Sequence, residues 1–296
     1  MKIRVLILFL LGVSLFSACT SKQKHSEEGD DKKTIIIAVT KKPTYPDMIK
    51  YAIEPELKKR GYTVKLHEFD ESLIIFDALI DGEVDLVIAG HRAAYNFLES
   101  RTGKKIETLV TVPSAHIGLF SQTLKARTTE ELKSELKPGD VLIMPDDPTN
   151  LPRSLIFLER LGFLKLKVGI DKFESNEKDI VENPYKLSFK VLSAAQIPRN
   201  LNTVTAGVVF GDDADLLGIL NTAIAREVEP DERFLILFGL KPGNGSKKWA
   251  KDFKEVVESK FFRDVIEDTT YRFHKYYRPA WYRNKWGLKN KKLAKN

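Results

Sequence analysis

Val141-Leu142-Ile143-Met144-Pro145-Asp146-Asp147-Pro148-Thr149-Asn150-Leu151-Pro152-Arg153 carries a strand, a turn and a helix start in thirteen residues. The apolar run ends at Pro145, and helical spacing resumes through Leu155, Leu158 and Leu161. Asn150 is read as the N-cap, Pro152 is tolerated in the first turn, and Gly162 sits where a left-handed C-terminal cap belongs. Arg153 is the exception to these local rules. A cation in the first turn opposes the helix dipole at a cost of roughly 0.3–1 kcal/mol unless an anion lies between them. An arginine beside free helix N–H groups is suited to a carboxylate or phosphate. The alternative is that Arg153 pairs with Asp146 or Asp147 in the turn above it.

Outward from this unit the same alternation recurs. Thr34 to Thr40 is β-branched and apolar at consecutive positions, as in a strand covered on both faces. Helical spacing follows from Asp47 to Arg60, with a kink expected at Pro55 and an end at Gly61. Further helices are expected at Leu73 to Ile80 and Ala93 to Ser100. Thr128 with Glu131 three residues on forms a capping box for another. Strands are expected at Val84 to Ala89, Ile106 to Val112, His116 to Phe120, Phe189 to Leu192, Ala206 to Phe210 and Phe234 to Phe238. Strands alternating with helices imply mainly parallel sheets, and this many elements in 296 residues imply two α/β lobes with a cleft between them.

The ends of the chain differ from this core. Lys2 and Arg4 precede an apolar stretch that runs to Ser17-Ala18-Cys19, too short for a membrane span and suited to a secretory signal. Leu15, Ser17 and Ala18 before Cys19 look like a lipobox, and Cys19 is the sole cysteine, so it has no disulfide partner in the chain. Acylation at Cys19 is therefore expected, with a membrane anchor; an ordinary signal cut nearby is the alternative. Loss of Lys2 and Arg4 would take the net charge from +7 to +5. Thr20 to Lys33 is polar and aperiodic, as a tether would be. The last fifteen residues carry Arg283, Lys285, Lys289, Lys291, Lys292 and Lys295 without an acid, which suits a solvated tail or anionic headgroups rather than nucleic acid in an exported protein.

Three later stretches carry a resemblance. Asp146-Asp147-Pro148-Thr149-Asn150 with Arg153-Ser154-Leu155, then Asp179 to Pro184, then Ala194-Ala195-Gln196-Ile197-Pro198-Arg199, resemble the NlpA-type methionine-binding lipoproteins, the solute receptors of ATP-driven methionine importers. Glu68-Phe69, Asp81-Gly82-Glu83-Val84-Asp85, His91 and Pro279-Ala280-Trp281 extend the likeness over almost the whole mature chain. It implies a type II periplasmic-binding-protein fold: residues 33–120 plus 226–281 as lobe one and 121–225 as lobe two, after a signal (1–18) and tether (19–32) and before a basic tail (282–296).

The same resemblance implies a site. Arg153 matches the arginine that grips the amino-acid carboxylate, and His91 the pocket histidine, which a hydrogen-bonded wall residue would explain equally. Two family asparagines that recognise polar groups of the ligand fall on Phe210 and Phe234. The family's aromatic after the histidine falls on Ala94, with Tyr95 adjacent. A buried ammonium without acceptors costs several kcal/mol, so a replacement is required. Asp212 and Asp213 are the expected replacements, against the alternative that they form a solvated helix start.

The expected function is a lipid-anchored binding protein that closes on methionine or a related amino acid and delivers it to an ABC permease and ATPase. The alternative is a surface lipoprotein with a drifted pocket that acts in protein or envelope interactions. No cofactor or enzyme activity is expected. The sequence has no Gly-x-Ser-x-Gly, Walker or His-Glu-x-x-His motif, and His25, His67, His91, His116 and His274 lack metal-ligand spacing.

Overall fold

The computed structural model describes residues 32–69 and 72–288. Twelve strands are described: β1 (Thr34–Thr40), β2 (Thr63–Phe69), β3 (Leu86–Ile88), β4 (Glu107–Thr111), β5 (Ile117–Phe120), β6 (Val141–Pro145), β7 (Lys165–Leu166), β8 (Ile180–Glu182), β9 (Ser188–Leu192), β10 (Ala206–Phe210), β11 (Ala225–Arg226) and β12 (Leu237–Leu240). They form one sheet in the order β2-β1-β3-β12-β4, a second in the order β11-β5-β10-β6-β9, and a small β7-β8 pair. The fold is α/β with two lobes, one around each five-stranded sheet.

Parallel pairing holds where helices connect successive strands, as in β1 with β2 and β3, and β6 with β9 and β10. Within the two large sheets the antiparallel pairings involve the strands at the crossings between lobes, β5 and β11 in the second sheet and β12 in the first; the small β7-β8 pair is antiparallel as well. The chain leaves the first sheet after β4 and returns to it as β12. The helices Lys248–Val257, Lys260–Glu267 and Ala280–Trp286 then pack on that sheet through Trp249, Phe253, Phe262 and Tyr282.

Both sheets are covered on two faces, and their sequences show why. In β1, Ile35, Ile37 and Val39 face one core and Ala38 the other. In β6, Leu142 and Met144 face the core that holds Leu155 and Leu158, while Ile143 faces Ile197 and Leu201. The period of two is intact, but each face meets apolar neighbours, so the strand reads as a continuous apolar run.

Several expectations shift. β5 pairs with β10 and β11, so Ile117–Phe120 belongs to the second sheet rather than closing lobe one, and Arg226 lies with it. All four residues of β5 are buried, a pattern that fits either sheet; pairing alone assigns it. The last strand begins at Leu237, not Phe234, because Asp231 accepts from the Arg233 N–H and holds Glu232–Phe234 in a short 3-10 turn. The expected tail is ordered at its start: Tyr282 is fully buried and donates to Glu267 at 2.9 Å. Lys32, the last residue of the expected tether, is pinned to Asp85 at 2.9 Å. The helix around Pro55 is broken by a π-helical turn at Ile49–Ile53, consistent with the N–H that proline lacks. Cys19 and residues 289–296 lie outside the described residues. Among the described residues no helix is long and apolar enough to cross a membrane.

Candidate functional site

The helix Asn150–Arg160 follows β6 at the waist of the molecule. Its start is organised by Asp147 rather than by Asn150: Asp147 Oδ1 accepts from the N–H groups of Thr149 and Asn150 and from both their side chains, at 2.8–3.2 Å. Asn150 is the first helical residue, and Gly162 has the expected left-handed conformation at φ +76°. Asp147 Oδ1 is taken by the helix start, and neither aspartate of the turn pairs with Arg153.

Glu227 takes it. Nε of Arg153 donates to both carboxylate oxygens at 3.2 Å and Nη2 donates to Oε2 at 2.5 Å, with side chains only 6% and 5% exposed. The Phe234 ring lies under the guanidinium at 5.1 Å, a cation–π arrangement. His91, at the end of the segment after β3, stands T-shaped to the same ring with centres 5.4 Å apart. Thus Arg153, His91 and Phe234 come together, and Glu227, absent from the expected set, completes the group.

His91 is oriented from both sides. Its Nδ1 accepts the Ala94 N–H at 3.1 Å as a helix N-cap, which leaves the proton on Nε2 to point at Asn150 Oδ1 across a long 3.4 Å contact. This contact joins the two lobes. Burial lowers the pKa of His91 to about 4, and the Arg153 charge adds to the fall, so the ring is neutral near pH 7. His116, at the outward crossing beside Glu227, is likewise lowered to about 4 by burial, against the raising effect of Glu227.

The acidic pair sits elsewhere and is already occupied. Lys42, just after β1, reaches across to Asp213 at 2.7 Å and stands 3.9 Å from Asp212 and 5.8 Å from the centre of the Phe210 ring. Burial would lower the Lys42 ammonium, but the two carboxylates outweigh it and its pKa is raised. Burial raises the Asp212 carboxyl against the pull of Lys42. The aspartates, expected to replace the asparagines as acceptors, receive a lysine from the other lobe in this structure, with side chains only 14% and 15% exposed. A second such pair, Lys275 with Asp215 at 2.7 Å, lies on the same helix, Gly211–Leu216. That helix begins hard against the crossing, with the Gly211 N–H donating to His116 O at 2.6 Å; an added Cβ would stand 2.7 Å from that oxygen, so only glycine fits.

Tyr95 is a core residue of the first lobe, 3% exposed and packed with Ala38, Ile75, Phe76 and Leu79. Its ring lies against Gly90, and burial pushes its hydroxyl pKa well up. Phe173, which sequence reasoning missed, lies tilted against Phe234 with ring centres 5.4 Å apart, and the Arg233 guanidinium sits over the Phe173 ring. The available signal for Glu227 was its place just after the expected return from lobe two; nothing local distinguishes it from Glu229.

The family model for NlpA lipoproteins matches residues 35–281. The chain belongs to the NlpA lipoprotein family. Among relatives, a D-methionine-binding lipoprotein MetQ of Yersinia pestis is 32% identical over 58% of this chain and 57% of its own length. The methionine-binding lipoprotein MetQ of Bacillus subtilis is 28% identical over 88% of this chain and 93% of its own. Among solved structures, a nutrient-binding protein of Burkholderia cenocepacia bound to methionine has a TM-score of 0.70 and 26% identity, over 79% of this chain and 95% of that one.

Proposed function

We propose that this NlpA lipoprotein is the solute-binding component of an ABC importer, anchored at Cys19, and that its lobes close on a small α-amino acid, with methionine the first candidate. The observation that carries this reading is the Arg153 guanidinium held at a helix start beside His91, which comes from the opposite lobe. A carboxylate bound there would touch elements of both lobes and so favour their closure. The methionine-binding relatives and the methionine-bound neighbour support the choice of ligand. Transfer to a permease and its ATPase follows from the same reading.

The lipoprotein purified in detergent, unfolded and refolded to strip any ligand, should bind L- or D-methionine with submicromolar affinity in calorimetry. Arg153→Lys keeps the charge and loses the planar fork, and should weaken binding at least about tenfold. No heat at millimolar methionine or any other common amino acid would overturn the proposal. It would favour the second reading, an interaction lipoprotein without a solute, which the occupation of Arg153 by the protein's own Glu227 supports.

A further inference from the structure

An α-amino acid presents a carboxylate and an ammonium a few bonds apart, and Arg153 answers only the first. Phe210 and Phe234, at the positions where the resemblance places polar recognition, offer no side-chain acceptor. Among the carboxylates around the site, Asp147 accepts four bonds from the helix start on Oδ1, Asp212 and Asp213 hold Lys42, and Asp231 pairs with Arg233 at 2.9 Å. Glu227 is the carboxylate that lies against Arg153 itself. Its Oε1 receives one 3.2 Å bond from Nε while Oε2 takes the other and the short one from Nη2, and its partner's Nη1 is not engaged by it. Each member of the pair therefore keeps capacity of the kind a zwitterion needs: N–H groups on the arginine and an acceptor on the glutamate.

The surroundings point the same way. A buried ion pair gains little net stability over apolar packing, because desolvation of both charges offsets their attraction. The flanking His91 and His116 are neutral near pH 7, so the group Arg153, Glu227, His91 and His116 has no net charge. A zwitterion adds none, whereas a simple acid or a simple amine would leave an uncompensated buried charge.

Resting on the amino-acid reading of this site, we propose that Glu227 is the ammonium-recognising residue. Arg153 and Glu227 together then form a two-charge clamp for the zwitterion in place of the family's asparagines. The ligand carboxylate takes free N–H groups of Arg153 and its ammonium donates to Glu227, so that four alternating charges replace two.

The test compares L-methionine, 4-(methylthio)butanoate, which lacks the ammonium, and 3-(methylthio)propylamine, which lacks the carboxylate, on the detergent-purified lipoprotein. Each truncated ligand should bind wild type at least about 100-fold more weakly than methionine. Glu227→Gln should lose about 100-fold for methionine and gain affinity for the butanoate, since it frees Arg153, so the preference between the two collapses. A Glu227→Gln protein that keeps the wild-type preference overturns the assignment of Glu227 while leaving the receptor reading intact. Absence of binding by every common amino acid overturns both. Should Glu227→Gln fail to fold, Glu227→Asp retains the charge one methylene back. It should reduce the preference about tenfold, and an unchanged preference again overturns the assignment.

Discussion

Two ion pairs at the waist of this molecule involve residues expected to grip a ligand, and they are built on opposite terms. Arg153 and Glu227 are almost fully buried, bonded through two nitrogens and stacked on Phe234. Lys42, which reaches Asp213 and Asp212 from the other lobe, keeps 42% of its side chain exposed. The first pair sits where water cannot replace either partner, so its geometry is held and loss of one member strands a charge. The second is a contact between lobes that water and salt reach from the lysine side, while its aspartates are largely buried, so it opens at a lower cost than the first. Under the proposed function, the buried pair would serve as a fixed recognition element and the second as a weaker latch that lobe motion can open.

The largest effect of any single residue should come from the buried pair. Glu227→Ala leaves the Arg153 guanidinium unpaired and should lower unfolding stability by about 3–5 kcal/mol, measured by urea denaturation. The double replacement Arg153→Met with Glu227→Leu should recover most of that loss. If the single variant cost no more than a surface substitution, the contrast between the two pairs would fail.

Next is the response to acid, which the neutral histidines of the buried region impose. His91 and His116 have folded-state pKa values of about 4 against an ordinary 6.5, so the unfolded chain takes up their protons first. Their stability contribution is complete above 6.5, falls as pH drops through the window from 6.5 to about 4, and is flat below it. Each histidine should account for on the order of 3 kcal/mol across that window. Urea midpoints at fixed ionic strength, with His116→Gln to remove one share, would measure it. A midpoint independent of pH across the window would contradict the burial of both rings.

The smallest effect belongs to the latch. Lys42→Ala should change stability by on the order of 1–2 kcal/mol, less than Glu227→Ala, and the change should shrink as salt is raised. A loss comparable to that of Glu227→Ala, insensitive to salt, would put the latch in the same class as the buried pair.

The fold was largely legible because its signals are local. The period of two in Ile35, Ile37 and Val39, the capping box of Thr128 and Glu131, and the left-handed Gly162 each depend on a few neighbouring residues. These signals give the α/β alternation, and motif order gave the family. The misplaced elements were those without a local discriminator. Ile117–Phe120 is apolar enough for either sheet, and Phe234 looks like a strand residue until Asp231 caps the turn before it.

Residue types suited to a ligand site, Arg153 and His91 among them, were set by the sequence itself, along with the exclusion of an acceptor at Phe210 and Phe234. Which charge meets which was decided by tertiary structure alone. Arg153 and Glu227 are 74 residues apart, and Lys42 and Asp213 are 171 apart. The physical reason is that capping and periodicity act over one turn or one pleat, whereas ion pairing depends on distance in space. Only when two sheets, built from interleaved parts of the chain, brought their ends together did Glu227 take the arginine and Lys42 the aspartates.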